Sequence, residues 1–348
     1  MDQLFAKIAA NTVTANLGDE EIWRRHWEPF HSGEQPQDVR VVRDQRYGPA
    51  QRNLLDVYIP TADSQKDRPV LLFVHGGGFF SGDKGWSDKL WANIGNYFAQ
   101  QGMVVVTANH QFVPFDNNES SDAEVKSTVQ YPAGADDMQL VREWIYENIA
   151  SEKFGNGSVD KVVLFGHSSG GAHIAMNLYA AGDPQRASSK VVHPPVAGII
   201  YLSVPFWYDR MRPIRRKILQ RYYGSDAEEI WGPRCALGLF RNLPDDSPLL
   251  DSSQIPTYIG ITKWEVKEAC DGAIAFFNAY RARSRPSGTL PIFHVMDKHN
   301  HFTNVMSIGT SDNTQASKLL EFIKTCTDSD SNPPNVIRSD NSALRPKL

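Results

Sequence analysis

The sequence predicts an α/β protein in which a mostly parallel sheet carries helices on both faces. Three observations predict it. Short β-branched and aromatic runs alternate with longer segments whose apolar residues recur every three or four positions, the pattern of strand-helix units. Four of the runs, PVLLFVH, MVVVTAN, KVVLFG and AGIIYLS, are apolar almost throughout, as strands covered on both faces must be. No apolar run reaches the roughly 20 residues that a membrane-spanning helix needs, so the hydrophobic 41% of the chain belongs in a core.

Eight strands follow from the runs Val39 to Val42, Leu54 to Ile59, Val70 to His75, Met103 to Asn109, Lys161 to Gly166, Val196 to Ser203, Thr257 to Thr262 and Pro291 to Met296. Crossover helices are predicted over Trp86 to Gln101, Gly134 to Ile149, Gly170 to Ala181, Val266 to Arg281 and Gln315 to Cys326. Two regions break the alternation. Residues 1–37 read as helical and Trp-bearing, and residues 204–250, inserted after the sixth strand, mix Pro, aromatics and the basic helix MRPIRRKILQRYYG. Both are expected to form a lid over one large domain spanning 38–326. Residues 327–348 hold too few apolar groups to offset ordering entropy and read as a disordered tail.

Composition narrows the function. The chain has 348 residues with 36 basic against 40 acidic side chains, a net charge of −4. That balance makes no field for nucleic acid or an anionic membrane, so a ligand must be recognised in a pocket. Three scattered cysteines, Cys235, Cys270 and Cys326, make neither a disulfide framework nor a metal cluster, and reduced thiols with no metal and no cofactor are expected. The opening MDQLFAKIAANTVTANLGDEE lacks the unbroken apolar stretch of a secretory signal, which implies a cytoplasmic protein. The triplets Asn118-Glu119-Ser120 and Asn156-Gly157-Ser158 then read as turns. The final Pro346-Lys347-Leu348 is a weak echo of the Ser-Lys-Leu peroxisomal address, with proline in the first place.

The chemistry starts at Gly166-His167-Ser168-Ser169-Gly170, between the strand KVVLF and the helix GAHIAMNLYA. A serine held in a sharp strand-to-helix turn presents its hydroxyl above the sheet edge, and flanking glycines relieve the crowding there. Ser168 is the candidate nucleophile; the plainer alternative is a structural loop serine. Upstream, PVLLFV ends in His75-Gly76-Gly77-Gly78-Phe79. Three glycines free the backbone to turn N–H groups inward, so Gly77 and Gly78, with the amide of Ser169, are the candidate oxyanion hole. A phosphate cradle fails because no lysine stands at P-loop spacing.

Serine needs a base, and the base needs an orienting acid. Among ten histidines, the loop Asp297-Lys298-His299-Asn300-His301 after the last strand offers His301, with His299 in reserve. His294 lies inside the strand and reads as core, while His75 and His167 read as structural. The acid should follow the preceding strand. Glu265 stands there just before a helix, while Asp271 falls a turn or more inside it; the alternative role for Glu265 is a helix N-terminal charge.

Taken together, DQRYGPAQRNLLDVYIP, HGGGFFSGDK, QYPAGADDMQLVREWI, GHSSGGAH and HNHFTNVMSIGT resemble the α/β-hydrolase superfamily, and within it the HGGG-type carboxylesterases: hormone-sensitive-lipase-like esterases, kynurenine formamidases and feruloyl-esterase-like enzymes. The resemblance implies a Ser168, Glu265, His301 triad and an acyl-enzyme route on a small-molecule ester or related acyl substrate. It also allows an arylformamidase, a lactone or thioester hydrolase, an acyltransferase, or a silent receptor. The family usually carries Ala after the nucleophile and Asp as acid, where this chain has Ser169 and Glu265. Phe79, Phe80, Phe206, Trp207 and Tyr208 are the candidate substrate walls and favour apolar or aromatic acyl groups; packing is the alternative for half of these aromatics. Arg212, Arg215, Arg216 and Lys217 read as a solvated helix face. A homodimer through an edge strand or lid helix is the assembly this fold allows.

Overall fold

A computed structural model describes residues 1–11, 19–115, 128–186 and 192–328. The eight predicted strands all form and join one sheet: β1 (Val39–Arg46), β2 (Leu54–Pro60), β3 (Arg68–Val74), β4 (Val104–Ala108), β5 (Gly157–His167), β6 (Gly198–Leu202), β7 (Thr257–Trp264) and β8 (Ile292–Asn300). Their order is β1-β2-β4-β3-β5-β6-β7-β8. β2 pairs antiparallel with β1 and β4, and every other pairing is parallel. β4 and β6 are buried at every position and β3 at all but one, which explains their unbroken apolar sequences.

Helices α1 (Asp2–Ala10), α2 (Asp19–Trp27), α3 (Ala92–Gln100), α4 (Ala133–Asn148), α5 (Ser169–Leu178), α6 (Pro213–Tyr223), α7 (Glu228–Trp231), α8 (Ala236–Arg241), α9 (Lys267–Arg283), α10 (Thr303–Met306) and α11 (Thr314–Thr327) cover the sheet. One face packs Val70, Leu72 and Val74 of β3 with residues of α4, α5, α8 and α9; the other packs Leu71 and Phe73 with α1, α2, α3 and α11. The period-2 alternation of β3 thus feeds two separate cores. α3 starts at Ala92, not Trp86, because Ser87 Oγ accepts the amides of Lys89 and Leu90 and holds that segment in a turn.

The sheet reverses its winding at β3. β4 lies on one side and β5 on the other, with Val74 paired to Gly166 at their carboxyl ends. Loops leaving two such strands depart side by side, the place where open α/β sheets form clefts.

Both segments expected as lid are anchored by apolar side chains. Leu4, Ile8, Trp23 and Trp27 are buried in the second core, and Ile218, Leu219, Tyr222, Trp231 and Phe240 of the insertion in the first. His294 is not core as expected: it is half-buried on the edge strand, where its Nδ1 lies 2.7 Å from the Tyr258 hydroxyl. No helix among the described residues is long and apolar enough to cross a membrane, and all three cysteines are unpaired thiols. Residues 329–348 of the expected tail, the Pro346-Lys347-Leu348 terminus and the Asn118 triplet lie outside the described residues.

The loop beyond the glycine run is tied to the sheet by charge. Lys84 Nζ lies 2.7 Å from Asp56 Oδ1 and 2.8 Å from Asp44 Oδ1, and Asp56 sits fully buried in β2. Removing one partner strands a buried charge, so Lys84→Met is expected to cost on the order of 3 kcal/mol, measured by urea unfolding near neutral pH. Lys89→Met, where among the described residues the ammonium donates to the Glu28 carbonyl at 3.3 Å, is the matched control and should shift stability by less than about 0.5 kcal/mol.

Candidate active site

β5 ends at His167 and α5 begins at Ser169, leaving Ser168 alone in the turn with φ 51° and ψ −127°. A left-handed backbone at a non-glycine residue is strained and persists only where its surroundings fix it. Here Ser168 N–H donates to the Leu202 carbonyl at 2.9 Å. The flanking glycines are sterically required. A Cβ on Gly170 would sit 2.3 Å from the His75 carbonyl oxygen, and one on Gly166 would sit 2.3 Å from Gly171 Cα.

The glycine run after β3 turns back beside this serine. Gly77 adopts φ 133° and Gly78 φ 64°. The Gly77 carbonyl accepts the amides of Phe80 (3.1 Å) and Ser81 (3.0 Å), closing the turn. Among the described residues, the Gly77 and Gly78 amides donate to no backbone carbonyl. Such free donors suit an anionic oxygen. Beneath them His75 is buried with Nε2 3.1 Å from Asn109 Oδ1, and burial, with the nearby His110, pushes its pKa down to about 3. It stays neutral and structural.

His301 is the first residue after β8 and Glu265 the first after β7. His301 Nε2 lies 3.0 Å from Ser168 Oγ and its Nδ1 lies 2.7 Å from Glu265 Oε1. Glu265 Oε2 accepts the Ser203 hydroxyl at 2.6 Å and the Thr262 amide and hydroxyl at 3.2 and 3.1 Å, while Oε1 accepts the Val266 amide at 2.9 Å. Ser203 in turn accepts Asn304 Nδ2 at 2.7 Å. Burial raises the Glu265 pKa, yet His301 and the hydroxyl and amide donors outweigh it and hold the carboxyl below its ordinary value. Ser203 and Asn304 were not singled out from sequence; their only local signal is their place beside the strand end and the histidine.

His299, the reserve, points elsewhere. Its Nε2 lies 2.9 Å from Asp312 Oδ2 and its Nδ1 3.1 Å from Thr303 Oγ1, with the Phe5 and Trp27 rings 5.8 and 5.9 Å away. Asp271 is on the outside of α9, paired with Lys267 at 2.9 Å.

Solved structures share the whole architecture. Esterase B from Lactobacillus rhamnosis aligns over 95% of this chain and 99% of its own with a TM-score of 0.66 at 15% identity. An esterase of the bacterial hormone-sensitive lipase family aligns over 94% and 97% with a TM-score of 0.57 at 17% identity. The chain has the α/β-hydrolase fold.

Residues 54–193 match the model of the Carboxylesterase family. The match contains Gly77, Gly78 and Ser168 and stops before Glu265 and His301. Zebrafish (Danio rerio) acetylcholinesterase is 28% identical over 51% of this chain and 26% of its own length. Human (Homo sapiens) bile salt-activated lipase is 28% identical over 43% and 20%. This chain thus spans about a quarter of the length of the curated relatives it matches.

Several of the expected substrate aromatics are used in packing. Phe206 is fully buried and stacks on Phe276 at 4.0 Å. Phe79 is buried against His173 and Tyr208, and the Tyr208 hydroxyl lies 3.2 Å from that of Tyr223. Phe80 and Trp207 remain half-buried. The basic helix also departs from expectation. Arg215 is buried, forms a bidentate pair with Glu268 at 2.7 Å on both arms, and donates to the Gly78 carbonyl at 3.3 Å. An apolar environment around Phe79 and Tyr208 makes that pairing necessary. The N-terminal segment adds Glu20, at the start of α2; burial pushes its carboxyl up to about 7 against the pull of His301 and Arg24. Among the described residues, no group of three or more metal-ligating side chains is assembled.

A carboxyl held below its unfolded value stabilises the fold above about pH 4.5, and that contribution is lost as pH falls through the native value. Comparing wild type with Glu265→Gln by chemical denaturation from pH 7 down to 3 should therefore show wild type losing relative stability on acidification. A difference between the two proteins that does not change with pH would contradict the depressed carboxyl.

Proposed function

We propose that this α/β-hydrolase is a carboxylic ester hydrolase with Ser168 as nucleophile, His301 as general base and Glu265 as the acid that orients it. The observation that carries the reading is the unbroken relay from Glu265 through His301 to Ser168, with contacts of 2.7 and 3.0 Å between largely buried groups. His301 Nδ1 faces a carboxylate and so bears the hydrogen, leaving the Nε2 lone pair to take the Ser168 proton. Oγ then attacks the ester carbonyl carbon. The resulting oxyanion meets the amides of Gly77, Gly78 and Ser169, donors already aimed and costing little reorganisation. The imidazolium passes its proton to the leaving alkoxide, the acyl group stays on Oγ, and water later releases the acid. The Ser168 backbone strain and the positive φ of Gly77 and Gly78 support this reading.

The half-buried Phe80 and Trp207, close to the glycine turn and in the insertion, are the walls we assign to a small apolar or aromatic acyl group. The match to the Carboxylesterase family model supports ester hydrolysis.

Wild-type protein is expected to react with a fluorophosphonate and to hydrolyse p-nitrophenyl butyrate, while Ser168→Ala loses labelling and at least about 10⁴-fold in kcat/KM. A folded wild type that is unlabelled and inert would sink the reading. Amide, lactone and thioester substrates assayed beside the ester separate the acyl-bond classes. Phe80→Ala and Trp207→Ala should each raise KM for a benzoyl or hexanoyl ester by roughly tenfold with little change for the acetyl ester.

A further inference from the structure

His167 is absorbed by none of the roles above, yet it sits at the centre of the site. It precedes the nucleophile in the chain, is buried, and its Nε2 lies 2.9 Å from the main-chain carbonyl oxygen of His301. The two imidazole rings are 5.3 Å apart. On the other side, a Cβ on Gly76 would lie 3.0 Å from His167 Nδ1, so the ring also abuts the glycine turn. Because Nε2 faces a carbonyl oxygen, it carries the hydrogen and donates it. Burial, then the neighbouring His301, push the His167 pKa down to about 3, so the ring is neutral whenever His301 takes a proton and does not repel it.

We propose that His167 is a positioning residue that holds the base loop onto the nucleophile turn while Ser168 is acylated. The inference rests on the esterase reading above. In the free enzyme His301 is held at three points: Nδ1 by Glu265, Nε2 by Ser168 Oγ and its carbonyl by His167. Acylation turns Oγ into an ester oxygen and removes the proton that joined it to Nε2. Of the two side-chain hydrogen bonds that join His301 to the nucleophile turn among the described residues, the one from His167 then survives. Deacylation needs it. Water attacks the acyl carbonyl carbon as its proton moves to His301 Nε2; the tetrahedral intermediate then breaks its carbon–Oγ bond, and His301 returns the proton to Oγ. A base displaced by even 1 Å at that stage loses on the order of 10²-fold in rate.

The test compares His167→Leu, His167→Asn and His167→Gln. Glutamine places an amide N–H near the Nε2 position, whereas asparagine reaches only as far as Nδ1 and leucine donates nothing. With p-nitrophenyl acetate, Leu and Asn variants are expected to show a burst near one product per enzyme, an acyl adduct in the intact mass, and deacylation slowed at least about tenfold. Their fluorophosphonate labelling rate, which reports attack by a still-free Oγ, should fall less than about threefold. Glutamine should restore turnover to within about threefold of wild type. If His167→Leu does not fold, the Asn and Gln pair decides. Equal losses in labelling and deacylation, an unimpaired Asn variant, or a Gln variant as poor as Asn would each overturn the proposal. An unlabelled wild type would instead overturn the esterase reading itself.

Discussion

The site depends on one constraint: four neighbouring parallel strands end at the same edge, and each hands its next residue to a single cluster. Ser168 follows β5, Ser203 follows β6, Glu265 follows β7 and His301 follows β8. The registers His167 to Leu202 and Trp264 to Asn300 level the ends within each pair, while Leu202 pairs with Gly260, so β7 and β8 run on past the end of β6. Parallel strands sit about 4.8 Å apart, a spacing that one side chain plus one hydrogen bond can bridge. The chain therefore needs no long loop to bring together residues more than a hundred positions apart. The fifth contributor arrives from the other side, because β3 neighbours β5 and its glycine turn leaves beside the serine.

Placing Glu265 in such a position carries a cost that the surrounding residues offset. A lone carboxylate in this buried place would take up a proton or unfold the region. Its two oxygens instead receive hydroxyl donors from Ser203 and Thr262 and amide donors from Thr262 and Val266, besides the His301 ring. Each lone pair is occupied, which keeps the charge in place and fixes the imidazole in one tautomer. The same logic recurs at Lys84 with Asp56 and at Arg215 with Glu268, where a buried cation and anion hold the loops that flank the glycine turn.

Much of this was legible in the sequence because it is written locally. Doubly buried strands are apolar runs, the strand-to-helix turn at Ser168 requires glycines on both sides, and the turn after β3 carries its glycines in one run. Glu265 stood out for its place between a strand and a helix. What distinguishes His301 from His299 is not local. Both follow the same strand, two residues apart, and only the folded N-terminal segment, which lays Phe5 and Trp27 beside His299, together with Asp312, marks it as structural. Which of the aromatics pack is not local either: nothing near Phe206 in sequence reveals that Phe276, on α9, will stack against it. Arg215 looked like a solvated residue because its partner Glu268 lies more than fifty positions away.

Those long-range partners tie the two added segments to the candidate site. Arg215 belongs to the insertion, yet it reaches the Gly78 carbonyl and so fixes the peptide that follows the glycine amides. Glu20 belongs to the N-terminal segment, and its carboxyl lies within the electrostatic reach of His301. One segment contacts the glycine turn, and the other places a carboxyl within electrostatic reach of His301. A rearrangement of either segment that exposed its apolar side chains would also withdraw that interaction. The segments are thereby coupled to the chemistry through packing, and exchanging one for a segment of equal bulk but different charge would alter the site even where the shape of the cleft was kept.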